Sequence, residues 1–330
     1  MEQTDAGRMI VDGLERRGVD PLTALEALKQ HFEQRAISAL IVAFQSERGR
    51  AGFAEDLRFA AGLCRATWGE EQLWAGLVHV RRGKRKRTHL MYAAAKGDVS
   101  RVQWLLARGA PVEVKNAHGL TALHYAAQMG KPEVVDALIA AGADVHAKTI
   151  SGDTSLHAAC FYGYNKIAKS LIAAGADINA GTNTGATPLL IASQEGHLRC
   201  VRLLLEKGAD VNKSRTSDGV SPLYWAARSI HPEVVRALIA CGADVNASSL
   251  DGETSLHAAC EEGNVEVLQI LIAANANVNA VFNGKTGLHV AALNARLHTM
   301  QILVDAGADT AALFNGKHAL DLIPRDLQKP

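Results

Sequence analysis

The chain has 330 residues, 48% hydrophobic and 21% charged, enough apolar material for two ordinary domains or one elongated array. Because 35 Lys and Arg offset 34 Asp and Glu, the net charge is only +1, which excludes recruitment of nucleic acid or an anionic membrane by a global field. The opening MEQTDAGRMIVDGLERRG lacks a secretory leader's apolar core, and no later run approaches the roughly 18 apolar residues of a membrane span.

In chain order, Asp20-Pro21 comes first, an N-cap followed by a residue with the φ a first helical position needs. Leu22, Leu25, Leu28, Phe32 and Ile37 follow at helical spacing and predict a helix running to the neighbourhood of Phe44. A second helix is predicted over Ala54 to Trp68, and a third over Glu70 to Val80 with Leu73, Trp74 and Leu77 on it. Residues 1–80 therefore read as a small helical N-terminal region, which could serve as a cap that shields the apolar face of the first unit after it. RRGKRKR, at Arg81 to Arg87, reads as a basic linker that could also serve as a nuclear import signal or a phosphate-binding patch.

From residue 88 a period takes over. Short apolar runs open at Thr88, Thr121, Thr154, Thr187, Ser221, Thr254 and Thr286, in steps of 33, 33, 33, 34, 33 and 32 residues. A fixed period in this range marks units that bury their apolar faces only against one another. Each opening Thr or Ser predicts a helix N-cap, and Pro188 and Pro222 fit the first helical position. Small pairs such as Ala126-Ala127 and Ala226-Ala227 let neighbouring helices approach closely. Gly130, Gly163, Gly196 and Gly263 end that first helix. A second, bulkier helix follows, as in Val134, Val135, Leu138 and Ile139, and stops at Gly142, Gly175, Gly208 or Gly242.

The repeated letters, TALHYAA or TSLHAAC at the start and GADVN at the close, resemble the ankyrin-repeat family from about Arg87 to the C-terminus. The resemblance implies an all-α solenoid over residues 88–330, a right-handed stack of helix pairs with projecting turns and a concave face that holds a partner. It also implies that the Asn of the closing motif (Asn179, Asn212, Asn246, Asn279) can be a hydroxylation target, as in some ankyrin proteins. Farther back, LCRATWGEEQLWAGL at Leu63 to Leu77 resembles the second half of an F-box, although the proline-bearing helix start of that motif is not evident near residues 39–44.

The His and Cys of the two TSLHAAC copies, His157 with Cys160 and His257 with Cys260, sit three residues apart on a helix and could offer two metal ligands each. Zinc needs three or four, and no neighbouring unit supplies the rest. The expected role of His124, His157, His257 and His289 is a hydrogen bond back toward the capping Thr, while the cysteines fill small packing positions. Phosphate loops, metalloprotease motifs and nucleophile elbows are absent from the sequence, so no catalytic residue, cofactor, metal or small-molecule substrate is expected. Five cysteines without a clustered framework fit a reducing compartment, which places the protein in the cytoplasm, with nuclear entry left to the basic segment.

If the family's binding positions carry over, the partner-facing residues are Tyr92, Lys96, Tyr125, Met129, Phe161, Tyr162, Gln194, Glu195, Trp225, Arg228, Glu261 and Glu262 on the first helices. Lys148, Arg215, Asp218, Asp251 and Phe282 are further candidates on the turns. The resulting expectation is a monomeric scaffold that binds a protein or peptide on its concave face and turn tips. The alternative is a ubiquitin-ligase substrate receptor whose N-terminal helices contact the ligase adaptor.

Overall fold

The computed structural model describes residues 81–82 and 87–324, and the helices expected over 1–80 lie outside them. Seven helix pairs follow in sequence. They are α1 (His89–Lys96) with α2 (Val99–Ala107), α3 (Ala122–Gln128) with α4 (Pro132–Ala140), α5 (Ser155–Phe161) with α6 (Asn165–Ala173), and α7 (Pro188–Gln194) with α8 (Leu198–Glu206). The series continues with α9 (Pro222–Arg228) and α10 (Pro232–Ala240), α11 (Ser255–Glu262) and α12 (Val265–Ala273), and α13 (Gly287–Leu293) and α14 (Leu297–Asp305). A 3-10 turn, Ala319–Leu322, begins an eighth unit. We number positions within a unit from its opening Thr or Ser.

Each first helix forms where the sequence sets a cap. The hydroxyl of Thr187 accepts the Leu190 N–H at 3.2 Å, and Ser221 accepts that of Tyr224 at 3.1 Å. Leu90, Leu123, Leu156, Leu189, Leu223, Leu256 and Leu288, at the third position, are buried between neighbouring units and meet the outer-helix leucines Leu138, Leu171, Leu204, Leu238, Leu271 and Leu303 in one continuous core. Replacing one such interior Leu by Ala costs about 2 to 5 kcal/mol. The buried Ala pairs bring inner helices close together, whereas outer helices pack more loosely, so the stack curves toward the inner helices.

The basic segment is not a simple linker. Its described ends pair as antiparallel strands, β1 (Arg81–Arg82) with β2 (Arg87–Thr88), in register Arg81 with Thr88 and Arg82 with Arg87. A second hairpin joins β3 (Val281–Phe282) to β4 (Lys285–Thr286) in the equivalent place before α13. The sequence, dominated by helix signals, gave no alternation long enough to reveal either.

The glycine at position 10 is required twice over. Gly163 has φ +71°, and a Cβ there would lie 2.6 Å from Nδ1 of His197, at position 11 of the next unit. His197 donates through Nε2 to the carbonyl of Phe161 at 2.9 Å, and His231 does the same to that of Gln194 at 3.1 Å, above Gly196. Lys131, Tyr164 and Arg296 cover Gly97, Gly130 and Gly263 likewise. The fifth unit departs from this rule: position 10 is Ile230, a β-branched residue held at φ +63°. At the covering position 11 the next unit carries a short Asn264, which turns instead to cap α12, accepting the Val267 N–H at 2.8 Å.

On the outer side of the turns, side-chain acceptors step from unit to unit. Asn179, Asn212, Asn246 and Asn279 accept the backbone N–H of Asp210, Asp244, Asn277 and Asp309 at 2.8 to 2.9 Å. Glu113 accepts that of Asp144 at 2.9 Å. His146 stands where the series would continue, and this rung is missing there among the described residues.

Left-handed backbone costs a β-branched side chain about 1 to 2 kcal/mol, partly offset by the added chain entropy of glycine. Ile230→Gly is expected to raise stability by about 0.5 to 1 kcal/mol, whereas Gly163→Ala should lower it by about 1 kcal/mol or more. Urea unfolding of the full chain measures both, and equal effects in the two variants would overturn this account of position 10.

Candidate functional site

The inner helices present two kinds of side chain. At position 4 the side chain points into the stack and holds the next turn. In the third unit the Thr154 N–H donates to Nδ1 of His157 at 3.1 Å, with the Thr154 hydroxyl 2.9 Å from the same nitrogen. Nδ1 must accept, so the ring proton is on Nε2, which donates to the carbonyl of Ala186 at 3.1 Å. His124 reaches the carbonyl of Asp153 at 3.2 Å and His257 that of Ala280 at 3.0 Å in the same way. His289 caps Thr286 in the same way, its Nδ1 accepting the Thr286 N–H at 3.2 Å. The bond back to the capping Thr was expected; the second bond, 29 residues ahead in two of the units, was not.

Where the His is missing, the facing residue changes with it. Where Met91 and Leu190 take position 4, the residues 29 and 30 positions on are the apolar Leu120 and Val220. Tyr224 instead donates its hydroxyl to Oε2 of Glu253 at 2.9 Å. Nη1 of Arg228 donates to the Tyr224 hydroxyl at 3.0 Å and to Glu261 Oε2 at 3.1 Å. Burial first and the Glu253 contact second push the Tyr224 phenol up to about 12, and burial raises the Glu253 carboxyl as well. Arg228 and Glu261, expected to face a partner, thus share a network that also fastens two units together.

At position 5 the expected aromatic surface splits. Tyr125 is only 3% exposed; its hydroxyl accepts from Asn116 Nδ2 at 2.9 Å and the Arg87 guanidinium lies 4.6 Å from its ring centroid. It is withdrawn into the stack by the small inner-helix neighbours that leave room for a ring. Trp225 is half-buried beneath Arg215, which is paired with Asp218, and its buried indole N–H has no hydrogen-bond partner among the described residues. Tyr92 stays open at 49% exposure, with Lys96 Nζ 5.9 Å from its ring centroid.

Positions 8 and 9 form the free surface. Met129, Phe161 and Tyr162 are 48%, 46% and 47% exposed on adjacent units. Phe161 meets Tyr162 edge-on at 4.9 Å, and Tyr162 stacks on Tyr164 at 5.8 Å, so these rings are held in place before any ligand arrives. A depression of about 260 Å³ opens beside them, lined by Gln128, Phe161, Tyr162 and Ile191 on the helices and by His118 and Ser151 on the turns. Glu195 and Glu262 extend position 9 toward the C-terminal end, each partly exposed. Of the turn candidates, Lys148 is tied to the Gly181 carbonyl at 3.0 Å, Asp251 is exposed, and Phe282 packs edge-on against His257 at 5.8 Å. Sequence reasoning passed over Ile150 and Leu250, exposed aliphatic residues on the turns that only the solvent-facing hairpin geometry reveals.

Three of the four described cysteines are packing residues, and Cys241 is exposed. Cys160, Cys200 and Cys260 are buried, and burial raises all three thiols, Cys200 to about 11. No group of three or more His, Cys, Asp or Glu among the described residues could hold a metal ion, and no described helix is long and apolar enough to cross a membrane.

A family model for ankyrin repeats matches residues 71–149, 90–182, 156–249 and 223–313. The chain belongs to the ankyrin-repeat family, whose arrays are protein-interaction modules. Among solved structures, the ankyrin-repeat domain of human ASB11 is similar, with a TM-score of 0.62 at 29% identity, covering 68% of this chain and 100% of that one. No curated protein sequence matches the chain.

Burial lowers the pKa of His124, His157, His257 and His289. Protonating Nδ1 would remove the acceptor of the Thr N–H. The unfolded chain, with histidines near 6.5, therefore binds protons before the folded chain does. Stability should be flat above about pH 7 and fall as the pH drops through about 6.5, in addition to any carboxylate effect at lower pH. Urea midpoints across pH 5.5 to 8 check this; a variant with Gln in place of His124, His157, His257 and His289 that keeps an unchanged slope would remove these histidines as its source.

Proposed function

We propose that this protein holds an extended segment of a partner protein along its inner-helix face. The observation that carries the reading is the contrast between positions 4 and 8/9. Side chains at position 4 are spent on caps and turns, whereas Met129, Phe161, Tyr162, Glu195 and Glu262 are left available on one side of the stack. Tyr92 and Lys96 extend that surface at the first unit. Exposed aromatic residues beside a recess are the side chains most often found as interface anchors. Trp225, Arg228 and Glu261 contribute a rigid floor, since their partners lie within the array.

A second reading rests on LCRATWGEEQLWAGL and its likeness to half of an F-box: the N-terminal region contacts a ligase adaptor while the array selects the substrate. The two readings use the groove in the same way and differ only in what the N-terminal region does.

Capture of partners from lysate by the full chain, identified by mass spectrometry, tests the first reading. A Phe161→Ala, Tyr162→Ala variant with an unchanged melting temperature should weaken captured partners at least about tenfold, since anchor residues contribute more than about 1.4 kcal/mol each. Equal capture by the variant would reject the groove. Trp68→Ala with Trp74→Ala should remove ligase subunits and keep substrates if the second reading holds, and the absence of such subunits from the unaltered chain would reject it.

A further inference from the structure

The position-9 side chains form a single row across the inner face: Lys96, Met129, Tyr162, Glu195, Ser229, Glu262 and Asn294, one from each unit. Its chemistry changes in steps along the array. A cation stands at one end, then two apolar residues, then two carboxylates separated by a hydroxyl.

Of the two apolar residues, Tyr162 lines the recess already described with Phe161 and Ile191, among polar residues such as His118, Ser151 and Asp153, while Met129 is exposed outside that lining. The carboxylates differ from their neighbours in being uncommitted. Glu261 is engaged by Arg228 at 3.1 Å, and Glu253 by the Tyr224 hydroxyl at 2.9 Å. No hydrogen bond or ion pair joins Glu195 or Glu262 to a described residue. Arg296, the cation that packs over Gly263, uses Nε on the carbonyl of Glu261 at 3.2 Å. Carboxylates at the rim of an apolar groove complement a cationic partner and disfavour an anionic one.

Spacing turns this row into a pattern. Packed helices lie about 10 Å apart. An extended chain rises about 3.3 Å per residue, so each unit corresponds to about three residues of a bound strand. Resting on the interaction reading above, we infer that the partner segment has an apolar residue, then an aromatic or large aliphatic residue, then a Lys or Arg, at intervals of three, with a second Lys or Arg six further on. Written out, it is Φ-x-x-Φ-x-x-(K/R)-x-x-x-x-x-(K/R). The first two side chains sit against Met129 and Tyr162, the first cation faces Glu195, the middle of the long gap passes Ser229, and the last cation faces Glu262. Lys96 guards the opposite end against a cation there, which fixes the direction of charge along the groove.

Fluorescence anisotropy of labelled peptides with the full chain tests the inference. One peptide is L-x-x-F-x-x-R-x-x-x-x-x-R with Ser, Thr and Gln at x; the others are its reversed sequence and the same two with Glu in place of Arg. The Arg form in one of the two directions should bind, the Glu form should bind about tenfold more weakly, and the difference should shrink as salt rises. Shortening the spacing between Phe and the first Arg from three residues to one should cost binding by a similar factor. A Glu195→Lys, Glu262→Lys variant, checked for an unchanged melting temperature, should reverse the preference. Arg and Glu peptides binding within twofold of each other, or no peptide binding in either direction, would overturn the inference. Natural partners lost on Phe161→Ala, Tyr162→Ala but retained in full by the charge-reversed variant would sink the charge pattern and leave the interaction groove standing.

Discussion

A unit of this chain cannot bury its own apolar face. The third-position leucines and the outer-helix leucines are covered only because another unit lies on each side, so the contact between neighbours, repeated along the array, is the interaction on which all else depends. The polar contacts follow from it. Once two units are pressed together, a buried ring nitrogen must find a partner across the junction, as His157 does, and the exposed Asn and Glu rungs add hydrogen bonds across the turns.

This dependence divides labour among side chains. Positions 3, 4, 6 and 7 are bound to the stack, and position 10 is constrained by both backbone hand and a covering side chain. Positions 8 and 9 face outward from the stack and, apart from the Arg228–Glu261 pair, are free to differ. The groove is therefore rigid in its backbone and variable in its chemistry, a combination that suits recognition, because little conformational entropy remains to be lost when a partner arrives. Phe161 and Tyr162 add to that rigidity through their own ring contacts.

Much of the fold could be read in the letters, because each repeated residue answers a local need. Thr187 and Ser221 announce helix starts through cap chemistry, and Gly163 announces a helix end through its backbone freedom. What could not be read depends on residues some 30 positions away. Nothing in TSLHAAC says that the far side of the imidazole reaches the next turn, and nothing in TALHYAA says that the tyrosine ring turns inward onto Asn116 and Arg87. Position 5 is fixed by how much room neighbouring helices leave, which is a property of pairs of units. The charge network at Tyr224 was hidden for the same reason: its members come from two units and look unrelated in sequence. The basic hairpin was missed because its strands are only two residues long.

The junctions also impose an order on the units. The hydrogen bond from position 4 is carried within one stretch of chain from Thr to the residue before the next Thr, so Tyr224 travels with Glu253 and His157 with Ala186 wherever that stretch is placed. The contact at position 10 belongs to two stretches. The first four units each end their inner helix in glycine, and the units that follow them offer Lys131, Tyr164, His197 or His231 as a cover. Those four could be exchanged among themselves by recombination without a collision. The fifth cannot precede any of those four covers, because Ile230 occupies the space they require; it fits before Asn264, whose side chain is short and turned away. The array thus has a freely shuffled beginning and a fixed sequence of units from the fifth to the sixth, set by one isoleucine where the first four units and the sixth have glycine.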